Sequence, residues 1–139
     1  GSLLLCSYLG FFACCCGDTW ASELGVLDPA PQPRLVLPPF RHVPKGTNGG
    51  VSSVGTVASL AGGVFMGFVF WALTRGANRN HLPPLLALGA AGGLGGSVLD
   101  SLMGATLQAS YWREDLQRVV SYQSEAEHIG GYELLSNHG

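Results

Sequence analysis

Apolar and polar positions along this chain fall into long blocks rather than into the short periods of a soluble domain. Val51–Leu73 runs for 23 residues (51 to 73 inclusive) without a charged side chain. At helical rise it extends about 34 Å, enough to cross a hydrocarbon core of about 30 Å, so it predicts a transmembrane helix. Leu85–Leu107 predicts a second full span, opened by Pro83-Pro84 at a helix start, where a missing N–H does no harm. Leu3–Cys16 is apolar or small throughout but falls short of the roughly 20 residues a span needs. It is completed either by residues upstream or by running on through Gly17–Gly25. The second course draws Asp18 and Glu23 into the span and suits Trp20 as an interfacial anchor.

The segments between these blocks read differently. Leu27–Pro44 holds six prolines, which deny it helix hydrogen bonds and favour extended backbone. Thr74-Arg75-Gly76 and Asn78-Arg79-Asn80 end the second span in turn chemistry. From Ala109 the chain turns polar: Tyr111 and Trp112 suit a membrane interface, and Glu114–Glu127 is charged without a strong apolar face. The predicted fold is all-α, a multi-pass transmembrane helical bundle fragment with two full spans and one partial. It forms one integral membrane domain over 1–139, with spans near 3–24, 51–73 and 85–107, a proline-rich loop and a polar tail over 109–139. The chain starts on Gly1 inside apolar sequence and lacks a basic n-region. It therefore reads as a piece of a longer membrane protein rather than as a signal peptide, with its helices expected to pack against spans of the full-length protein.

Small residues mark the faces by which these helices meet. Gly55, Ser59, Gly63 and Gly67 recur at spacing four and stack as one stripe, the pattern that seats one membrane helix against another. In the next span Gly92, Gly96, Asp100, Gly104 and Gln108 share a face in the same way. The one charge of that span thus lies on its small-residue stripe and is expected to point at protein rather than lipid.

Composition agrees: 47% apolar, 12% charged and 21 glycines. A net charge of −2 gives no reason to expect nucleic acid. Cys6 and Cys14-Cys15-Cys16 have no metal-finger spacing and read as small apolar residues, with S-acylation near an interface as the rival reading. Three spans place the 27–50 loop and the tail on one side, with Arg34, Arg41, Lys45, Arg113 and Arg118 against Arg75 and Arg79 on the other. The positive-inside tendency then makes the first side cytosolic.

Three groups could carry chemistry. A carboxylate at mid-depth of a membrane helix costs about 2.5–3.5 kcal/mol on insertion scales, so Asp100 is either a cation or proton site or a hydrogen-bonding packing residue. Asp18 and Glu23 form the second group. Five residues apart they diverge by about 140° on a regular helix and share no face unless the helix breaks near Gly17, whereas Asp18 and Ser22 do share one. Lys45-Gly46-Thr47-Asn48-Gly49-Gly50 is the third: successive glycines before a helix start let N–H groups converge on an anion, with Thr47 and Asn48 adding side-chain donors and Lys45 and Arg41 adding charge. The P-loop spacing is absent, and a plain glycine-rich turn is the rival reading. If the three carboxylates meet near this loop, the set suits Mg²⁺ held by carboxylates and substrate phosphates for phosphoryl transfer. No Ser/His/Asp or Cys/His arrangement is present, and His42, His81, His128 and His138 lie scattered in polar segments, where they are expected to face solvent.

Gly17-Asp18-Thr19-Trp20-Ala21-Ser22-Glu23-Leu24-Gly25, Gly46-Thr47-Asn48-Gly49-Gly50-Val51 and the run from Gly96 through Asp100 to Gln108 resemble the transmembrane protein 19 family, as does Leu134-Leu135-Ser136-Asn137 in the tail. The match covers nearly the whole chain in order. That family is multi-pass and includes a plant phytyl-phosphate kinase, which makes an isoprenyl diphosphate from the monophosphate. The resemblance implies a Mg²⁺-dependent kinase acting on a membrane isoprenyl phosphate with a nucleoside triphosphate as co-substrate. It assigns Asp18, Glu23 and Asp100 to catalysis and metal, and Arg41 with Lys45–Gly50 to phosphate. This chain departs from the family pattern by lacking upstream spans and a span after Asn137, and the Asp28–Pro39 stretch diverges locally, so no role carries over to Arg34. The alternative is a non-catalytic membrane carrier or scaffold with a buried Asp100.

Overall fold

The computed structural model describes residues 2–29, 32–37, 40–74, 81–114, 116, 118–120 and 127–132. Three helices dominate it: α1 (Ser2–Gly25), α2 (Ser53–Thr74) and α3 (Leu82–Leu107). Each is long and apolar enough to cross a membrane, as expected of a multi-pass membrane protein. α1 takes the second of its two predicted courses and runs unbroken through Gly17 to Gly25, so the first span is full length rather than partial. The turn expected at 75–80, part of the charged segment (115, 117 and 121–126), the Leu134–Asn137 motif and His138 lie outside the described residues.

The chain separates into two compact units, one of Gly1–Leu27 and Ser53–Ser97, the other of Asp28–Ser52 and Val98–Gly139. Helix α3 contributes its first part to one and its last turns to the other. In the helical unit the predicted α2 stripe is buried in full: Gly55, Ser59, Gly63 and Gly67, joined by Ala58 and Gly62. On α1 the buried positions are Leu9, Ala13 and Gly17, again four apart. Backbones meet directly along these seams. A Cβ on Gly62 would lie 3.0 Å from the Cys16 carbonyl oxygen, and one on Gly67 would lie 2.5 Å from that of Leu85.

The pairings give the topology. Gly67 faces Leu85, Gly63 faces Gly89 and Ser59 faces Gly93, so α2 and α3 run antiparallel. Cys16 and Gly17 face Gly62 while Tyr8 meets Phe70, with ring centroids 6.4 Å apart, so α1 and α2 are antiparallel too. Ala13 against Gly92 and Cys14 against Gly96 make α1 and α3 parallel, an up-down-up arrangement. Association rests on close backbone contact, because lipid removes the hydrophobic drive between helices. Large apolar side chains point outward instead, Leu3 at 79% and Leu73 at 80% exposure among them, as suits lipid or neighbouring spans.

Helix α3 therefore carries two small-residue seams, Gly89/Gly93 toward α2 and Gly92/Gly96 toward α1. The second is the one read from the sequence. Its continuation is not uniformly covered: Gly104 is buried, but Asp100 is exposed. Within this chain, then, Asp100 stands on an exposed part of that stripe.

The second unit adds short sheets to the predicted helices. In the proline-rich loop, β1 (Arg34–Leu35) pairs antiparallel with β2 (Gly50–Val51), Arg34 opposite Val51. After α3, β3 (Ser110–Arg113) lies between β4 (Arg118–Val120) and β5 (Glu127–Gly130), all antiparallel. Aromatic and β-branched residues favour this pleated packing: Tyr111 sits opposite Val120, and the two are buried with Ala109 as a small core. Beyond β5, Gly131 at φ +81 turns the chain so that the Tyr132 N–H donates to the Thr106 carbonyl at 3.1 Å. That bond satisfies one of the carbonyls a helix end leaves open.

Candidate functional site

The Lys45–Gly50 turn is a pair of tight bends. The Pro44 carbonyl accepts from the Thr47 N–H at 3.2 Å and from the Thr47 hydroxyl at 2.7 Å, and the Thr47 carbonyl accepts from the Gly50 N–H at 3.0 Å. Gly46 and Gly49 take φ values of +88° and +78°, which side chains with a Cβ rarely adopt. Gly49 is also jammed against α3: an added Cβ would lie 2.7 Å from the Ser101 carbonyl oxygen. The Asn48 N–H donates to the Ser110 hydroxyl at 3.1 Å, and the Asn48 side-chain amide makes a longer bond to the Ala109 carbonyl at 3.5 Å. The N–H groups of Thr47, Asn48 and Gly50 thus already have acceptors within the chain. The turn is a packed wall that fixes Lys45, and its anion-binding capacity rests on side chains more than on an open nest.

The expected phosphate-binding cations lie together. Arg41 and Lys45 line one cleft of about 640 Å³ with Gln32, Pro44, Trp112, Glu127, His128 and Ile129. Arg41 is held by an Nη2 hydrogen bond to the Ile129 carbonyl. The Lys45 ammonium donates to the Asp28 carbonyl at 2.6 Å. His128 meets the Gly131 carbonyl through Nε2 at 3.0 Å; a carbonyl only accepts, so Nε2 is the donor in this contact. The His128 ring also packs on Tyr111, centroids 5.3 Å apart. Every lining residue belongs to a segment outside the three candidate spans.

The carboxylates are placed less simply. Asp100 is exposed one helical turn before Gly104 and beside Ser101, whose carbonyl faces Gly49; it stands on the stretch of α3 that braces the glycine turn. Asp18 is partly exposed beside Gly17, and Glu23 is fully on the surface. Gly17 does not break α1, so Asp18 and Glu23 diverge by about 140° and sit on different faces. Among the described residues no three His, Cys, Asp or Glu side chains come together as a metal-holding group. Among the described residues Asp18, Glu23 and Asp100 therefore stand singly rather than as a cage of protein ligands.

Sequence reasoning did not single out Trp112, Glu127, His128 or Gln32 as site residues. His128 is exposed, as expected of a solvent-facing histidine, yet it lines the cleft. No sequence signal marked them: β5 is only four residues, Glu127–Gly130, without apolar–polar alternation.

A family profile described as integral membrane protein DUF92 matches residues 1–139. The chain is 43% identical over 143 residues to Protein PGR of Arabidopsis thaliana, covering 98% of this chain and 49% of that protein. It is 36% identical over 104 residues to an uncharacterized membrane protein of Methanocaldococcus jannaschii, covering 75% of this chain and 40% of the relative. The chain therefore spans about half the length of the curated relatives it matches, or less. No solved structure matches it.

Proposed function

The chain belongs to the DUF92 family of integral membrane proteins, and from that premise we propose that it is part of a Mg²⁺-dependent kinase for an isoprenyl monophosphate. The γ-phosphoryl group of a nucleoside triphosphate passes to a terminal oxygen of the lipid monophosphate. The bond from γ-phosphorus to the bridging oxygen breaks, a new P–O–P linkage forms, and the products are an isoprenyl diphosphate and a nucleoside diphosphate. Such a transfer asks mainly for positioning and for charge to offset the phosphate oxygens.

The observation that carries this reading is the convergence of Arg41 and Lys45 on one cleft outside the apolar spans. Those two cations read as phosphate ligands from the sequence alone. The glycine turn 46–50 holds Lys45 in place, with Thr47 and Asn48 as its internal ties. Asp18, Glu23 and Asp100 are the carboxylates this proposal offers, singly, to Mg²⁺, which supplies charge neutralisation when bound with the phosphates.

The test is formation of isoprenyl diphosphate from the monophosphate by the complete protein in proteoliposomes with Mg²⁺ and a nucleoside triphosphate. Asp100→Asn is expected to lower turnover while leaving the protein folded. Equal turnover by wild type and variant would remove Asp100 from the mechanism. Absence of product from every isoprenyl monophosphate, together with absence of Mg²⁺-nucleotide binding, would favour the carrier or scaffold reading instead.

A further inference from the structure

We propose that the cleft between the proline-rich loop and the β3–β5 sheet is the nucleoside triphosphate site, and that the lipid phosphate is bound elsewhere; the assignment rests on the kinase reading above. A lipid phosphate needs a path for its chain, and the apolar lining of this cleft is confined to Pro44, Ile129 and the ring of Trp112. Polar groups make up the rest, and a cleft of about 640 Å³ is within the usual range for a whole small-molecule ligand of about 300–1,000 Å³.

The lining also divides in the way a nucleotide does. Arg41 and Lys45 supply the charge that phosphate oxygens require. Trp112 offers a ring face on which a base stacks, an interaction open to every base. Glu127 would repel a bare phosphate, but its carboxylate accepts hydrogen bonds from ribose hydroxyls or a base amino group. Gln32 can donate or accept at a base edge, and the Nδ1 of His128 is the ring nitrogen left over from the Gly131 contact. A simple anion would use the cations alone; the aromatic and the acid need a larger partner with both a flat ring and hydroxyl groups.

The experiment uses the complete protein in lipid nanodiscs. Binding of each of the four ribonucleoside triphosphates with Mg²⁺, and of inorganic tripolyphosphate, is measured by calorimetry, alongside KM for nucleotide and for isoprenyl monophosphate. Trp112→Ala is expected to weaken nucleotide binding about tenfold and to leave tripolyphosphate binding unchanged, with Trp112→Phe restoring most of the loss. Lys45→Gln is expected to weaken both ligands about tenfold or more. In both variants KM for nucleotide rises and KM for the lipid stays put. If isoprenyl diphosphate forms but Trp112→Ala and Lys45→Gln raise only the lipid KM, the cleft is assigned to the wrong substrate and the kinase reading survives. If the wild type binds no nucleotide, or Trp112→Ala binds it as well as wild type, this assignment is overturned.

Discussion

The two units of this chain hold together by different physics. In the helical unit, contact along the seams is backbone against backbone: Gly63 on Gly89, Gly93 on Ser59 and Gly17 on Gly93, with ring pairs such as Tyr8–Phe70 and Trp20–Phe65 flanking them. In the loop-and-sheet unit, contact runs through directed bonds, such as Asn48 to Ser110, Arg41 to Ile129 and Tyr132 to Thr106. The difference follows from solvent. Lipid is as apolar as leucine, so only close approach distinguishes a partner helix from a lipid tail. In water, turn geometry and hydrogen-bond satisfaction specify the fold. The first unit should therefore be sensitive to added volume and the second to lost donors and acceptors.

The largest effect is expected where volume enters a seam. Gly63→Val places a branched side chain where even a Cβ would press on the Gly89 backbone; backbone cannot move aside as a side-chain tip can. A loss of about 3 kcal/mol or more is expected, read as a collapse of thermal stability in detergent. Gly49→Ala comes next. It combines φ +78° with a Cβ 2.7 Å from the Ser101 carbonyl oxygen, and about 2–3 kcal/mol is expected from the two costs. A full-stability Gly49→Ala protein would show that the turn is free to rearrange.

Ser110→Ala tests the other kind of contact. Ser110 is 1% exposed, and removing its hydroxyl leaves the Asn48 N–H without its acceptor, at a cost of about 1–2 kcal/mol. Chemical unfolding of the complete protein measures it. The smallest effect is expected at Gly95, where a Cβ would meet nothing within 4 Å. Gly95→Ala should be neutral or stabilise by up to about 1 kcal/mol, since alanine is the better helix former. If Gly95→Ala proved as damaging as Gly63→Val, the seams described above would be wrong.

The same contrast decides how much was legible beforehand. Val51–Leu73 and Leu85–Leu107 were read to within a few residues of α2 and α3, because a span announces itself locally by length and charge. The α2 stripe was legible for the same reason: spacing four is a property of one helix. The Gly89/Gly93 seam was missed because α3 has small residues on several faces, and only a partner selects among them. Asp100 lies on a stripe that this chain covers only in part, at Gly104 but not at Asp100.

The sheet unit was largely illegible. Its strands are two to four residues long, and Tyr111, Val120 and His128 gain meaning only when paired across the chain. Arg41 and Lys45, which line the cleft, could be singled out as candidate cations from charge beside a glycine turn. Trp112 and His128 could not, since their place in the cleft depends on the β3–β5 register.

Phosphoryl transfer into isoprenyl diphosphate, measured with γ-labelled nucleotide and the complete protein in proteoliposomes, tests the role of the cleft most directly. With Arg41 and Lys45 both changed to alanine, kcat/KM should fall roughly a hundredfold or more while the protein stays folded. Transfer at the wild-type rate by that double variant would contradict it.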